Sequence, residues 1–321
     1  MTDALPGTAL ELDPSQLLAD LETDHVYFCP NPGNAGDSAI AVGAYHVFRS
    51  AGVEWTDVAW NEEFDSSGKT VIYGGGGNLA AAYPQARTFI EQHHERADRF
   101  VLLPHTIQGN GKLLSALGSN VVLFCREMRS FEHADSVATG ARVHLWHDLA
   151  LQIDVDDLLE RAPATSRLLT RMTLRSLGAL GGRLSGGDSR IHGVSVRSAV
   201  IEAARAAGRL GSSDSRRLFA LRRDREAFGG PPPRANVDVS AVFAYGVSPA
   251  DTALDATTNL LAYLNRFDRI TTNRLHVCIL GAMLGKQIDF HANSYFKNEA
   301  VYRFSLGQQF PNVRWCGEWT P

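Results

Sequence analysis

Between Arg269 and Phe290 the chain reads as strand, helix, strand, and the helix is apolar on nearly every side, which leaves a fold few places to put it. Asn273 is a good N-cap and Gly285 a good C′ residue, so the helix is expected from about Arg274 to Leu284. Leu275, Cys278, Ile279, Ala282 and Met283 form one stripe, and Val277, Leu280 and Leu284 make the other side apolar as well. Such a helix is buried along its length and keeps only its N-terminal pole for chemistry. There Arg274 and His276 lie beside backbone N–H groups with no helical partner, a place suited to an anion. A plain structural reading competes evenly with this one: Arg274 pairs with a carboxylate of the protein itself, and His276 is a hydrogen-bonded packing residue.

The same alternation runs through the first half. Strands are expected at His25 to Cys29, Thr70 to Tyr73, Phe100 to Leu103, Asn120 to Cys125 and Val143 to Trp146, with helices at Ser38 to Ser50, Tyr83 to Ala97 and Arg129 to Thr139. Alternating β and α segments imply a parallel sheet, and ligands of such sheets bind outside the carboxyl ends of the strands. Polar residues collect at those ends. Asp37, Asn78, His105, Arg126, Glu127 and Asp148 are expected to share one rim, although capping or turn duty accounts for each of them singly. The loop Pro30 to Asp37 holds Gly33, Asn34 and Gly36 ahead of a helix, without the spacing of a dinucleotide fingerprint. Gly74, Gly75, Gly76 and Gly77 in a row sacrifice roughly 0.5–1 kcal/mol each relative to alanine in regular structure, so a close backbone approach is expected to compensate.

A chain of 321 residues exceeds what one core usually organises. The reading is a first α/β domain over 1–160, a basic, glycine-rich connector over 161–190 and a second α/β domain over 191–321. In the connector Arg167, Arg171 and Arg175 recur every four residues, a stripe read as a solvated linker helix, with contact to an anionic membrane surface as the less expected use. The second domain is expected to open with a strand at Ile191 to Arg197 and a helix at Ala199 to Ala207. Arg216 to Arg225 is expected as a solvated helical face, Val239 to Tyr245 as a strand and Asp251 to Asn265 as a helix. A formal net charge of −4 argues against nucleic acid as the main partner. Cys29, Cys125, Cys278 and Cys316 form no C-x-x-C pair and read as reduced and structural. No window has the apolar length of a membrane span and the start lacks a signal-peptide pattern, so the expected location is cytoplasmic, with at most peripheral contact at the inner face of the membrane.

Taken in order, Gly33-Asn34-Ala35-Gly36-Asp37, the Gly74 to Asn78 run, Leu103-Pro104-His105-Thr106-Ile107, Arg126 after a strand, and Arg274-Leu275-His276 with Tyr295 and Lys297 downstream resemble the polysaccharide pyruvyl transferase family. The resemblance covers nearly all of the chain outside its first twenty residues and the connector. It implies two Rossmann-like domains facing a cleft in a glycosyltransferase-B-like fold, phosphoenolpyruvate as donor substrate with no further cofactor, and a pyruvate ketal on a sugar that is free, lipid-linked or nucleotide-linked. The residues it implies for substrate binding are Arg274, Arg126, Leu275, Asn34, Gly75, Gly76, Asn78, His105, Tyr295 and Lys297. The chain departs from the family's usual pattern at Arg126-Glu127, where Arg-Asp is common, and at His105-Thr106, where Gln-Ser or Gln-Thr is common.

The chemistry suits the residues. Phosphoenolpyruvate brings a carboxylate and a phosphate, which Arg126 and Arg274 are equipped to hold with bidentate contacts. Ketal formation needs a proton for C3 while a hydroxyl adds at C2, and His276 is the candidate donor because histidine titrates in the neutral range. Asp37 or Glu127 is the candidate base for the sugar hydroxyl. The histidines and carboxylates show no metal-ligand spacing, so no metal is expected. Two other readings stay open: a nucleotide-sugar glycosyltransferase of the same architecture, and a sugar- or nucleotide-binding relative without turnover. The oligomeric state is not legible.

Overall fold

The computed structural model describes residues 13–19, 23–80, 83–162, 190–191, 194–210 and 216–321. The connector stripe Arg167, Arg171 and Arg175 lies outside the described residues. The chain divides into two compact units, one of Met1–Asn31 with Gly43–Gln152 and one of Pro32–Val42 with Ile153–Pro321.

The first unit holds α1 (Pro14–Ala19), β1 (His25–Cys29), the second half of α2 (Ala35–Ser50), β2 (Glu54–Asp57), β3 (Thr70–Tyr73), β4 (Gly76–Leu79), α3 (Gln85–His93), β5 (Arg99–Ile107), α4 (Gly111–Leu114), β6 (Val121–Cys125), α5 (Met128–Val137) and β7 (Arg142–Leu145). Its strands are parallel, in the order β2-β1-β3-β5-β6-β7, with β4 paired to β5 beyond the end of β3. The strands are rich in β-branched and aromatic residues. β6, Val-Val-Leu-Phe-Cys, is buried throughout, as a strand covered on both faces must be. From β1 the chain runs to β2 on one side and then to β3 on the other, so the crevice at the carboxyl ends of β1 and β3 is a topological switch point.

Two breaks lie at the same level of this sheet, and the first corrects the sequence reading. β5 does not stop at Leu103 but runs through Pro104 to Ile107, because the ladder with β6 slips between Leu102 and His105. Pairing with β3 ends at Leu102 and pairing with β4 begins at His105. A proline fits where the ladder is already interrupted. The glycine run divides at the same level: Gly74 and Gly75 follow β3, and Gly76 and Gly77 begin β4.

The second unit contains α6 (Val155–Glu160), the short antiparallel strands β8 (Arg190–Ile191) and β9 (Val194–Ser195), α7 (Val196–Leu210), β10 (Arg217–Ala220), α8 (Val239–Val242), α9 (Ala250–Leu264), β11 (Arg269–Thr272), α10 (Leu275–Met283), β12 (Gln287–His291), α11 (Lys297–Val301) and β13 (Val313–Gly317). Its main sheet is parallel, ordered β10-β11-β12-β13. Val239 to Tyr245 is not a strand: it opens with one helical turn, and Val239 to Ala244 are buried. Its β-branched and aromatic residues serve burial, which overrides their strand propensity. Arg216 to Arg225 is not a helical face either, because Arg217–Ala220 is β10 and the charges follow in the loop.

The central strand–helix–strand stretch forms as its residues require. Gly281 lets α10 settle on the sheet: a Cβ there would stand 2.8 Å from Ile288 Cδ1 and 3.2 Å from Ile270 Cδ1. The helix ends in a Schellman motif, with Gly285 at φ +70°, its N–H donated to Ala282 O at 2.9 Å, and the Lys286 N–H donated to Gly281 O at 3.0 Å. The N-cap is Arg274 rather than Asn273, whose side chain instead accepts the Arg222 N–H at 2.8 Å. Among the described residues no helix is long and apolar enough to cross a membrane.

Candidate active site

At the switch point of the first unit the glycines make room for the β1–α2 loop. A Cβ on Gly74 would lie 2.7 Å from Asn31 N, and one on Gly76, whose φ is +149°, would lie 2.5 Å from Asn31 Nδ2. Around them runs a buried polar chain: the Tyr73 hydroxyl donates to Asn31 Oδ1 at 3.2 Å, and Asn78 Nδ2 donates to the Tyr73 hydroxyl at 3.0 Å. His105 Nε2 accepts two backbone N–H groups, from Asn78 at 3.1 Å and Leu79 at 3.2 Å. That leaves its proton on Nδ1, which faces Gly74 O at 3.2 Å. Gly76, Asn78 and His105 are thus brought together, with buried Gly75 beside them, and His105 shapes the glycine segment through its backbone.

Arg126 and Glu127 follow β6. The Arg126 guanidinium donates through Nε to Thr106 Oγ1 at 2.9 Å and through Nη1 to Asp148 Oδ2 at 2.7 Å. Both side chains of that ion pair are 1% exposed, so in this conformation Arg126 ties three strand ends together instead of facing a ligand. Glu127 caps α5, accepting the Ser130 N–H at 3.0 Å and the Ser130 hydroxyl. Burial raises its pKa above the usual carboxylate range, against the opposing pull of the Ser130 hydrogen bonds.

In the second unit the start of α2 is a capping box. Asn34 Oδ1 accepts the Gly36 N–H at 2.9 Å, and Asp37 Oδ2 accepts the Asn34 N–H at 2.8 Å. Gly33 is needed because a Cβ there would stand 1.9 Å from the Asp37 carboxylate. Gly36 is needed because a Cβ there would stand 2.3 Å from His276 Nδ1. The loop motif and the histidine on α10, far apart in sequence, therefore touch. Asp37 groups with this unit, and Asn78, His105, Arg126, Glu127 and Asp148 group with the other.

The carboxyl ends of β10 and β11 carry a compact ion cluster. Arg274 grips Asp238 with Nε at 2.9 Å and Nη2 at 2.5 Å, and its Nη1 lies 2.9 Å from Asp224 Oδ2. The pairing with domestic carboxylates, one of the two readings of Arg274, is thus realised. Arg222 donates through Nε and Nη2 to the same Asp224, at 2.7 and 3.1 Å, and through Nη1 to Glu226 at 2.5 Å. Lys297 Nζ reaches Glu226 at 2.8 Å and lies 5.0 Å from the Tyr295 ring centroid. Burial opposes the charge on Asp224, but Arg274 and Arg222 together hold its carboxyl well below the usual range. Burial likewise disfavours the Arg274 cation, and Asp238 and Asp224 outweigh it and raise its pKa. Leu275, the first residue of α10, is buried as part of the apolar helix.

Arg274, Tyr295 and Lys297 are brought together, and sequence reasoning missed what joins them: Arg222, Asp224, Glu226 and Asp238. The available signal was the alternation Arg222-Arg223-Asp224-Arg225-Glu226 directly after a short apolar run, a charge pattern no solvated helix needs. Among the described residues no group of three or more His, Cys, Asp or Glu side chains is placed to hold a metal ion.

A family model described as polysaccharide pyruvyl transferase matches residues 34–288. Among solved structures, a functionally uncharacterised protein from Klebsiella pneumoniae subsp. pneumoniae NTUH-K2044 is similar at a TM-score of 0.68 and 25% identity, over 95% of this chain and 97% of that one. No curated protein matches the chain.

Proposed function

Because the chain belongs to the polysaccharide pyruvyl transferase family and is a transferase, we propose that it moves pyruvate from phosphoenolpyruvate onto two hydroxyls of a sugar, releasing phosphate. The observation that carries the reading is Arg274 at the N-terminal pole of buried α10, with His276 two residues on and held against Gly36. Guanidinium groups and helix N–H groups suit a donor with two anionic ends. In the proposed reaction His276 protonates C3 of the enol as a sugar hydroxyl oxygen bonds to C2. A second hydroxyl oxygen then bonds to C2 as the C2–O bond to phosphate breaks; its proton restores His276, and the proton taken by the base from the first hydroxyl leaves with the inorganic phosphate as the ketal forms.

Of the two carboxylates weighed as base, Asp37 is half-buried beside Gly36, whereas Glu127 is fully buried under Ser130, so Asp37 is the one proposed. Lys297 and Tyr295 are proposed for the donor's anionic end, and the Gly75–Asn78 segment with His105 and Asn34 for shaping substrate contacts. The proposal includes the correspondence of the two α/β units to the Rossmann-like halves of a glycosyltransferase-B-like enzyme, and action on the cytoplasmic side upon a free, lipid-linked or nucleotide-linked acceptor.

The test is phosphate release from phosphoenolpyruvate across a panel of sugar acceptors, with wild type, Arg274→Ala and His276→Gln. Release by wild type, lost in both variants, supports the reading. Turnover of a nucleotide sugar with none of phosphoenolpyruvate overturns it.

A further inference from the structure

Asp224 receives three guanidinium nitrogens: Arg222 Nε at 2.7 Å, Arg222 Nη2 at 3.1 Å and Arg274 Nη1 at 2.9 Å. The two arginines leave the carboxyl ends of neighbouring parallel strands, β10 and β11, so their forks converge from different backbones on one point. Three donors from two planar guanidiniums form the cradle a carboxylate or one face of a phosphate requires.

The members of this cluster differ in exposure. The side chains of Arg222 and Arg274 are 6% and 9% exposed, and that of Asp238 is 6% exposed, whereas Asp224 is 43% exposed. Asp238 is bound from within by the Arg274 fork and by the Arg223 N–H. Asp224 covers the cradle from the solvent side. Three cations, Arg222, Arg274 and Lys297, meet three carboxylates, Asp224, Glu226 and Asp238, so the cluster is neutral with Asp224 in place and positive without it.

We propose that Asp224 is an internal stand-in for the substrate's anionic group: the incoming carboxylate or phosphate takes its place on Arg222 and Arg274, and Arg222 is the second anion-binding arginine of the site. This rests on the reading of the Arg274 pole as the donor site. The exchange swaps one set of charge-assisted hydrogen bonds for another, so Asp224 keeps two buried cations satisfied when the site is empty and competes with every weak anion. Selectivity follows, because only a ligand that also engages the surroundings displaces a carboxylate already tethered to the chain.

The experiment is calorimetric titration of the full chain with inorganic phosphate and, separately, phosphoenolpyruvate, using wild type, Asp224→Asn, Arg222→Lys and Arg223→Gln. Removing the competing carboxylate is expected to tighten phosphate binding by about tenfold in Asp224→Asn, the worth of one charge-assisted contact. Arg222→Lys keeps the charge but loses the fork, and is expected to weaken it by about tenfold. Arg223, whose side chain points to Glu202, is the control and is expected to leave binding unchanged. Unchanged or weaker phosphate binding in a folded Asp224→Asn protein, or no phosphate binding by either protein, overturns the proposal. Tighter binding in Asp224→Asn without phosphate release from phosphoenolpyruvate by wild type would retain the exchange and remove the donor assignment. Phosphate release with equal binding in both proteins would do the reverse.

Discussion

Arg126 and Arg274 both follow a parallel strand and both are buried against carboxylates, yet they are held in opposite ways. Arg126 meets Asp148 through Nη1 in a pair that is 1% exposed on each side, with Thr106 on Nε. Arg274 meets one enclosed carboxylate, Asp238, and one that faces solvent, Asp224. The first arrangement is closed and fixes strand ends; the second keeps one position exchangeable. Position at a strand end thus makes an arginine a candidate, while the exposure of its partner decides whether a ligand gains access.

The comparison is sharpened first by Asp148→Asn. It leaves Arg126 charged and unpaired in a closed site, and unfolding in denaturant is expected to show a loss of about 3–5 kcal/mol. Asp238→Asn is expected to cost about 2 kcal/mol, less because Arg274 retains Asp224. Asp224→Asn is expected to cost under about 1 kcal/mol, since solvent screens a half-exposed pair. A reversed order among the three variants would break the contrast between a closed and an open arginine.

The smallest expected effect is in acid. The folded pKa of Asp224 is depressed, so its stabilisation is complete above its unfolded value, about 4, and is lost as pH falls through the lower folded value. The melting temperature of wild type is therefore expected to fall more steeply below about pH 4 than that of Asp224→Asn. Parallel acid limbs would show that Asp224 is not held by the two arginines in solution.

Much of the scaffold was legible because its signals are local. β1, β3, β6, the α10 helix and its Gly285 end all declare themselves within a few residues, through apolar runs or a residue that a left-handed turn requires. The glycine run announced a close backbone approach, and Asn31 is the neighbour that comes close. The ion cluster was not legible, because its members stand at 222, 224, 226, 238, 274 and 297 and only the return of the chain brings them together. A window reading sees surface charge in each segment. Val239 to Tyr245 misled for the related reason that composition reports burial more faithfully than it reports backbone conformation.

The contact of Gly36 with His276 separates two properties that mutagenesis usually confounds. Deleting an imidazole removes its chemistry and its place together. One added carbon at position 36, in Gly36→Ala, would meet the Nδ1 edge of the ring and oblige it to move while leaving every atom of the histidine present. Gly36 is thus a steric dial on the geometry of the ring, set from the first turn of a different helix, and it allows where the ring sits to be varied independently of what the ring is.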